Sequence, residues 1–122
     1  DTPLEDLVRR EVSRSLSEGV PRMVDVARRL AMSDRTLHRR LAEKNLSFKT
    51  LVDTTRRDVA ENLLRTSRYT LTEVAFLTGF SEQSAFNRAF KRWTGRTPPA
   101  CREAARLGLK ERRAADGEAG TP

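Results

Sequence analysis

The sequence contains only one cysteine, Cys101, and one histidine, His38. A single thiol cannot form an internal disulfide, which is compatible with a reducing compartment. A lone histidine without neighbouring cysteines does not form a metal-binding pattern, because protein metal sites need several ligands at close spacing. The sequence also shows no nucleophile–base pair, phosphate-binding loop or paired carboxylates. We therefore predict neither an enzyme nor a metal or cofactor site.

Long apolar runs are also missing. No stretch approaches the roughly 20 apolar residues that a membrane-spanning helix needs. The chain opens with the acidic residues Asp1, Glu5 and Asp6 rather than with the pattern of a signal peptide. We expect a cytoplasmic protein without a membrane partner.

Negative charge is in the minority. The chain has 24 lysines and arginines against 17 acidic residues, which gives a net charge of +7 and an isoelectric point of about 10.7. Such a basic protein usually meets a polyanion, although a solvated basic surface is the simpler interpretation. Most of the basic residues are arginines, whose planar guanidinium suits phosphates and guanines.

Glycine and proline are few, and β-branched alternation is absent. Apolar residues recur at helical spacing instead. This periodicity predicts an all-α fold of about seven helices.

One short helical pattern occurs twice. "VDVARRLAMSDRTLHRRLAEK" covers Val24–Lys44, and "TEVAFLTGFSEQSAFNRAFKRW" covers Thr72–Trp93. Each copy reads as two short helices joined by a tight turn, which is the pattern of a helix-turn-helix. In that motif the second helix presents its outer face to the DNA major groove.

The predicted outer faces carry side chains that suit base edges. Arginine can bind guanine through two hydrogen bonds, and asparagine or glutamine can bind adenine in the same way. The candidates are Arg35, His38 and Arg39 in the first copy, and Gln83, Ser84, Asn87, Arg88 and Lys91 in the second. Ser33 and Ser81 are predicted to cap the two second helices, whose free N–H groups favour phosphate.

The segment between the copies reads as one long helix capped by Ser47. About 20 residues at 1.5 Å rise give about 30 Å, close to the roughly 34 Å turn of B-DNA. A rigid helix of this length could place both second helices in successive major grooves. The predicted layout is a bipartite DNA-binding domain over 1–107, with helix-turn-helix units at about 22–45 and 72–94, a linker helix at about 47–67, and a disordered tail over 108–122.

These residues resemble the C-terminal DNA-binding domain of the AraC/XylS family of bacterial transcription regulators. The most specific segment, "GFSEQSAFNRAFKRWTGRTPPACR" from Gly79 to Arg102, is similar to the family signature around its second helix-turn-helix. "AMSDRTLHRRLAEKNLSFKTLV", from Ala31 to Val52, is similar to the first motif.

The resemblance implies two helix-turn-helix subdomains on a linker helix, which bind double-stranded promoter or operator DNA. It implies that the first-copy candidates face one major groove and the second-copy candidates the next. Family members usually activate transcription and contact RNA polymerase. Most also carry an N-terminal effector-binding or dimerisation domain, which would lie outside this chain.

Two departures from the pattern bear on these expectations. Ala31 stands where the second copy has a glycine, Gly79, so the first turn is strained if it needs a positive φ. The spacing from serine to the first buried apolar residue also differs between the copies, which shifts the second-copy assignments by about one residue. A non-specific architectural nucleic-acid binder and a helical protein-interaction module stay open as alternatives.

Overall fold

The computed structural model describes the backbone of residues 1–120 and the side chains of residues 1–109. Within these residues the chain forms seven α-helices and no strand, which confirms the predicted all-α fold. A 3-10 turn, Leu16–Glu18, extends the first helix. The helices in chain order are α1 Leu4–Ser15, α2 Met23–Arg29, α3 Asp34–Glu43, α4 Phe48–Thr66, α5 Leu71–Leu77, α6 Gln83–Thr94 and α7 Pro98–Gly120.

A first hydrophobic core lies between α1, α2, α3 and the N-terminal half of α4. Its side chains recur at three- and four-residue spacing, as the buried stripe of an amphipathic helix does. The fully or nearly fully buried members are Val8, Val12, Leu16, Val26, Ala27, Leu37, Leu41, Leu51 and Val52. The first helix-turn-helix, α2 and α3, is thus braced by α1 and α4.

A second core lies between the C-terminal half of α4, α5, α6 and α7. Its buried members are Ala60, Leu64, Val74, Ala75, Phe86 and Phe90. Phe80 packs at the edge of this core, with its ring centroid 5.6 Å from that of Phe86 and 6.0 Å from that of Trp93. Trp93 therefore serves packing rather than base stacking.

The long helix α4 joins the two cores. Ser47 caps it as predicted, since its hydroxyl accepts a hydrogen bond from the Thr50 N–H at 3.1 Å. Its 19 residues correspond to a length of about 28 Å. Because one continuous helix contributes to both cores, it fixes one helix-turn-helix relative to the other.

The start of α5 differs from the prediction. The second helix-turn-helix was predicted to begin at about residue 72, but α5 begins at Leu71 and Thr70 is its cap. The Glu73 N–H donates to the Thr70 hydroxyl, and the Thr70 N–H donates to the Glu73 carboxylate, both at 3.0 Å. Thr70 is the cap because Glu73 is then the third residue of the helix, where its carboxylate completes a capping box.

The end of α7 also differs from the prediction. We expected the domain to end at residue 107 and a disordered tail over 108–122, but the backbone of α7 continues as a helix to Gly120. The expected tail is therefore wrong for the backbone of residues 108–120. Alanine, glutamate, lysine and arginine are strong helix formers and dominate this segment, so loss of the apolar pattern does not end the helix. Residues 121–122 lie outside the described part of the chain.

Along the described residues, no helix is both long enough and apolar enough to cross a membrane.

Candidate nucleic-acid interface

The two helix-turn-helix units share the same turn. In the first, the Met32 N–H donates to the Ala27 carbonyl at 3.0 Å; in the second, the Phe80 N–H donates to the Ala75 carbonyl, also at 3.0 Å. Each bond encloses one residue with positive φ, Ala31 and Gly79. The repeat read in the sequence is therefore a repeat of backbone geometry.

Ala31 adopts the left-handed conformation, with φ of 60°, whereas Gly79 has φ of 91°. An L-residue in this region costs about 1 kcal/mol or more because Cβ approaches a backbone carbonyl. The first turn therefore keeps the geometry of the second in spite of the strain that the alanine imposes.

The second helices of the two units begin differently. Ser33 caps α3 as predicted, since its hydroxyl accepts from the Thr36 N–H at 3.1 Å. The prediction that Ser81 caps α6 is wrong: α6 begins at Gln83, and Glu82 occupies the cap position without a side-chain cap bond. The second turn is one residue longer, which moves Ser81 out of the capping position.

This shift changes the expected phosphate contact at α6. An uncapped helix N-terminus favours an anion, but here the Glu82 carboxylate accepts from the Ser84 hydroxyl at 3.4 Å next to it. A carboxylate at this place opposes a phosphate through like charge. At α3 the predicted serine cap is present, but a carboxylate lies at this N-terminus too, since Asp34 accepts from the Arg35 N–H at 3.0 Å.

The longer turn also resolves the uneven spacing in the sequence. Counted from the structural caps, Ser33 and Glu82, the first buried side chain lies four residues on in both helices, at Leu37 and Phe86. Arg39 and Arg88 each lie two residues beyond that buried side chain. The two arginines therefore hold equivalent positions on α3 and α6.

The outer face of α3 is open and positively charged. Arg35, His38 and Arg39 are all exposed, as predicted. Arg39 forms a loose ion pair with Glu43, with Nε 3.7 Å from Oε1 and both side chains 66% exposed. A pair this exposed contributes little to stability, so Arg39 can exchange Glu43 for another acceptor at small cost.

The outer face of α6 divides into open and half-buried residues. Ser84, Arg88 and Lys91 are exposed, whereas Gln83 and Asn87 are half-buried at the edge of the face. Gln83 already uses its amide oxygen, which accepts from the Thr72 hydroxyl at 2.6 Å. The structure thus brings all five second-copy candidates to one side of α6 but leaves only three fully accessible.

Asn87 is further restricted. Its amide oxygen is inaccessible to solvent and has no hydrogen-bond partner. Two-bond recognition of adenine requires both the oxygen and the nitrogen of the amide. In this conformation Asn87 can offer only its amide nitrogen.

Comparison with known proteins agrees with this architecture. A family model described as a helix-turn-helix domain matches residues 26–113, which is most of the chain and covers the first unit from the middle of α2 and the whole of the second. The chain belongs to the AraC/XylS family. The predicted resemblance is thereby confirmed, and the fold and family are those of DNA-binding transcription regulators.

Curated relatives of this AraC/XylS domain are regulators several times its length. An uncharacterised helix-turn-helix-type transcriptional regulator of Mycobacterium tuberculosis is 46% identical over 78 residues, which are 64% of this chain and 23% of the relative. The ornithine utilization regulator of Pseudomonas aeruginosa is 38% identical over 84 residues, 69% of this chain and 25% of the relative. The chain thus spans about a quarter of the length of these relatives.

Solved structures share the fold. The DNA-binding domain of AdpA, a global transcriptional factor solved in complex with a target DNA, superposes with a TM-score of 0.69 at 32% identity, covering 88% of this chain and 96% of that one. A DNA-binding transcriptional dual regulator from Escherichia coli K-12 gives a TM-score of 0.81 at 21% identity over the same shares. The second likeness concerns the fold alone.

One functional candidate of the AraC/XylS domain, Arg56, was missed in the sequence, where it reads as a solvated residue of the linker helix. It is half-buried, and its Nε donates to the Thr78 carbonyl at 2.8 Å. Burial lowers the pKa of Arg56 from its ordinary value, but an arginine stays charged at neutral pH. The sequence did contain a signal: Val52 and Ala60, four residues before and after Arg56, are both apolar, and the structure buries both.

The described side chains show neither a metal-binding group nor an activated thiol. They contain no group of three or more histidine, cysteine, aspartate or glutamate residues that could hold a metal ion. Burial raises the pKa of the Cys101 thiol, and a protonated thiol is a poor nucleophile.

Proposed function

We propose that this domain binds double-stranded DNA sequence-specifically, with α3 and α6 in successive major grooves on one face of the duplex. The observation that carries the proposal is the pair of helix-turn-helix units with identical turn hydrogen bonds, mounted on a single helix that belongs to both cores. The roughly 28 Å length of that helix suits the roughly 34 Å pitch of the duplex.

We assign base recognition to the exposed side chains at equivalent positions of α3 and α6. Arg39 on α3 and Arg88 on α6 are each expected to bind a guanine through O6 and N7. Arg35, His38, Ser84 and Lys91 flank them and supply further base or phosphate contacts. Gln83 and Asn87 offer only their amide nitrogens in the present arrangement, because the Gln83 oxygen is bonded to Thr72 and the Asn87 oxygen is inaccessible. Two-bond recognition of adenine by either residue requires DNA to displace this arrangement.

The test begins with duplexes selected by the wild-type domain from a random DNA pool. Dissociation constants are then measured for Arg39→Ala and Arg88→Ala on duplexes that carry single base changes in either block. Each variant should lose about 1–3 kcal/mol of binding and relax specificity in its own block only. Arg14→Ala is the matched control, because Arg14 is 68% exposed on α1, outside both units.

A non-specific architectural binder is the second candidate, favoured by the net charge of +7. It would show steep salt dependence without a preferred sequence. Selection that returns no shared sequence, or uniform weakening of every duplex by both arginine variants, would support this candidate and refute base readout. A domain that ignores DNA even at low salt would instead be a protein-interaction module.

The intact regulator, of which this domain would be a part, is proposed to act on bacterial promoters in the cytoplasm. One relative, the transcriptional activator PerA of Escherichia coli, is 34% identical over 74 residues, which supports activation rather than repression. Activation implies contact with RNA polymerase, and the greater length of the relatives leaves room for an effector or dimerisation domain. A reporter gene behind the selected sequence should rise in expression with the full-length protein; a fall would indicate a repressor.

A further inference from the structure

One side chain of the linker helix α4, Arg56, contacts the turn of the second helix-turn-helix. Its Nε donates to the Thr78 carbonyl at 2.8 Å. Its guanidinium carbon lies 3.8 Å from the centroid of the Phe80 ring and 5.9 Å from that of Trp93. The Arg56 guanidinium thus contacts both chain neighbours of Gly79, Thr78 and Phe80.

The same turn also lies against the first half of the domain. A Cβ placed on Gly79 would lie 3.3 Å from Cγ2 of Val20, 3.5 Å from the Leu16 carbonyl oxygen and 3.6 Å from Nη2 of Arg56. The turn therefore contacts both the chain segment that follows α1 and, through Arg56, the middle of α4. It is a place where the two halves of the domain meet.

The contacts of Arg56 also connect it to the recognition helix α6. Phe80, beneath the guanidinium, packs against Phe86 on the buried side of α6, and α6 begins only three residues after Phe80. Rotation of α6 about the linker would have to break the bond to Thr78 or lift Arg56 from the ring. A partly buried cation that loses its acceptor is left with an uncompensated desolvation cost.

We propose that Arg56 is a positioning residue that sets the distance and rotational phase between the two recognition helices, and so the operator spacing that the domain accepts. This inference rests on the proposed function, because it needs both helices to read one duplex. Arg56 acts through the turn and α6, so its role is separate from the base contacts of Arg88.

The test is a spacing series on the selected duplex, with one base pair inserted or removed between the two blocks. One base pair rotates the second block by about 35°. For the wild type we expect the dissociation constant to rise about tenfold or more on the altered duplexes, because a displaced helix loses at least one base pair. For Arg56→Met the ratio of the dissociation constants for altered and selected spacing should fall about two- to tenfold, toward one.

Two further variants make the result specific. Arg57→Met is the matched control: Arg57 is the next residue on α4, but it pairs with Asp58 at 3.2 Å and Glu61 at 3.4 Å. Its spacing ratio should equal that of the wild type. Arg56→Lys keeps the charge but loses the planar group that stacks on Phe80, so its ratio should lie between those of the wild type and Arg56→Met.

The outcomes separate this inference from the proposed function. A wild type that binds all spacings equally overturns the two-groove proposal itself. A wild type that discriminates, together with Arg56 variants that discriminate equally well, overturns only the role of Arg56. Circular dichroism melts check folding, and if Arg56→Met does not fold, an unchanged spacing ratio in Arg56→Lys refutes the inference and a reduced one supports it.

Discussion

Both turns are predicted to favour glycine over alanine at the residue with positive φ. Ala31 is exposed and has φ of 60°. Ala31→Gly removes a strain of about 1–2 kcal/mol from the left-handed conformation of the folded state. The glycine also gives the unfolded chain more conformational freedom, which lowers the free energy of unfolding by about 0.4–1 kcal/mol. The variant should therefore be more stable by about 0.5–1 kcal/mol.

At Gly79 the reverse substitution, glycine to alanine, can be tested. Its φ is 91°, and a new Cβ would lie 3.3 Å from Cγ2 of Val20. Gly79→Ala introduces both the conformational strain and a tight contact with the first half, so we expect a loss of about 1–2 kcal/mol. Glycine is thus expected to be more stable than alanine at both positions, which have the same turn hydrogen bond and a positive φ.

Urea and thermal unfolding followed by circular dichroism measure both effects. For a domain of this size 1 kcal/mol corresponds to a melting-temperature shift of about 3–5 °C. Ala31→Gly should melt higher than the wild type and Gly79→Ala lower. Destabilisation by Ala31→Gly, or a neutral Gly79→Ala, would refute the account of strain in the turns.

Three further predictions follow from caps, core and charge. Ser33→Ala should cost about 1 kcal/mol in urea unfolding through loss of the α3 cap, whereas Ser81→Ala should be nearly neutral; equal losses would contradict the helix starts described above. Phe86→Ala should cost about 3–5 kcal/mol because the ring is fully buried, and a smaller loss would mean that the second core is loosely packed. Hydrogen bonds from the Thr70 backbone and hydroxyl lower the pKa of Glu73 below 4.5, so its stabilising effect is complete above that pH and is lost as pH falls through the lowered value. Between about pH 6 and pH 3 the wild type should therefore lose more stability than Glu73→Gln, whose amide oxygen can accept the same bond without titrating; parallel losses would exclude this contribution.

The sequence predicted the fold because its determinants are local and periodic. The apolar stripe that includes Leu37 and Leu41 specifies which face of α3 is buried, and the repeat specifies a second unit of the same kind. The family signature then connected this architecture to DNA-binding regulators. The exposed face of α3, with Arg35, His38 and Arg39, follows directly from the same periodicity.

The errors arose where two local signals compete. Ser81 and Glu82 both precede α6, and a serine is the better cap by propensity. The structure instead lengthens the second turn by one residue, so that Phe86 reaches the core at the same distance from the cap as Leu37 does. Core packing outweighed the cap preference, which a single sequence does not reveal.

Arg56 escaped detection for a different reason. Its partners, Thr78 and Phe80, lie more than 20 residues further along the chain, so the contact exists only after the halves have packed. Helical spacing indicated that the residue lies on a buried row, but the preference of arginine for solvent argued the other way. Tertiary contacts of this kind determine the relation between the two units, which is the part of the site least accessible from sequence.

The central claim is that α3 and α6 occupy successive major grooves of one duplex. Protection of guanine N7 from methylation, measured on the selected duplex, tests it most directly because N7 lies in the major groove. We predict two clusters of protected guanines about one helical turn apart on one face, with Arg39→Ala abolishing protection in one cluster and Arg88→Ala in the other. A single cluster, or two clusters on opposite faces, would contradict the account.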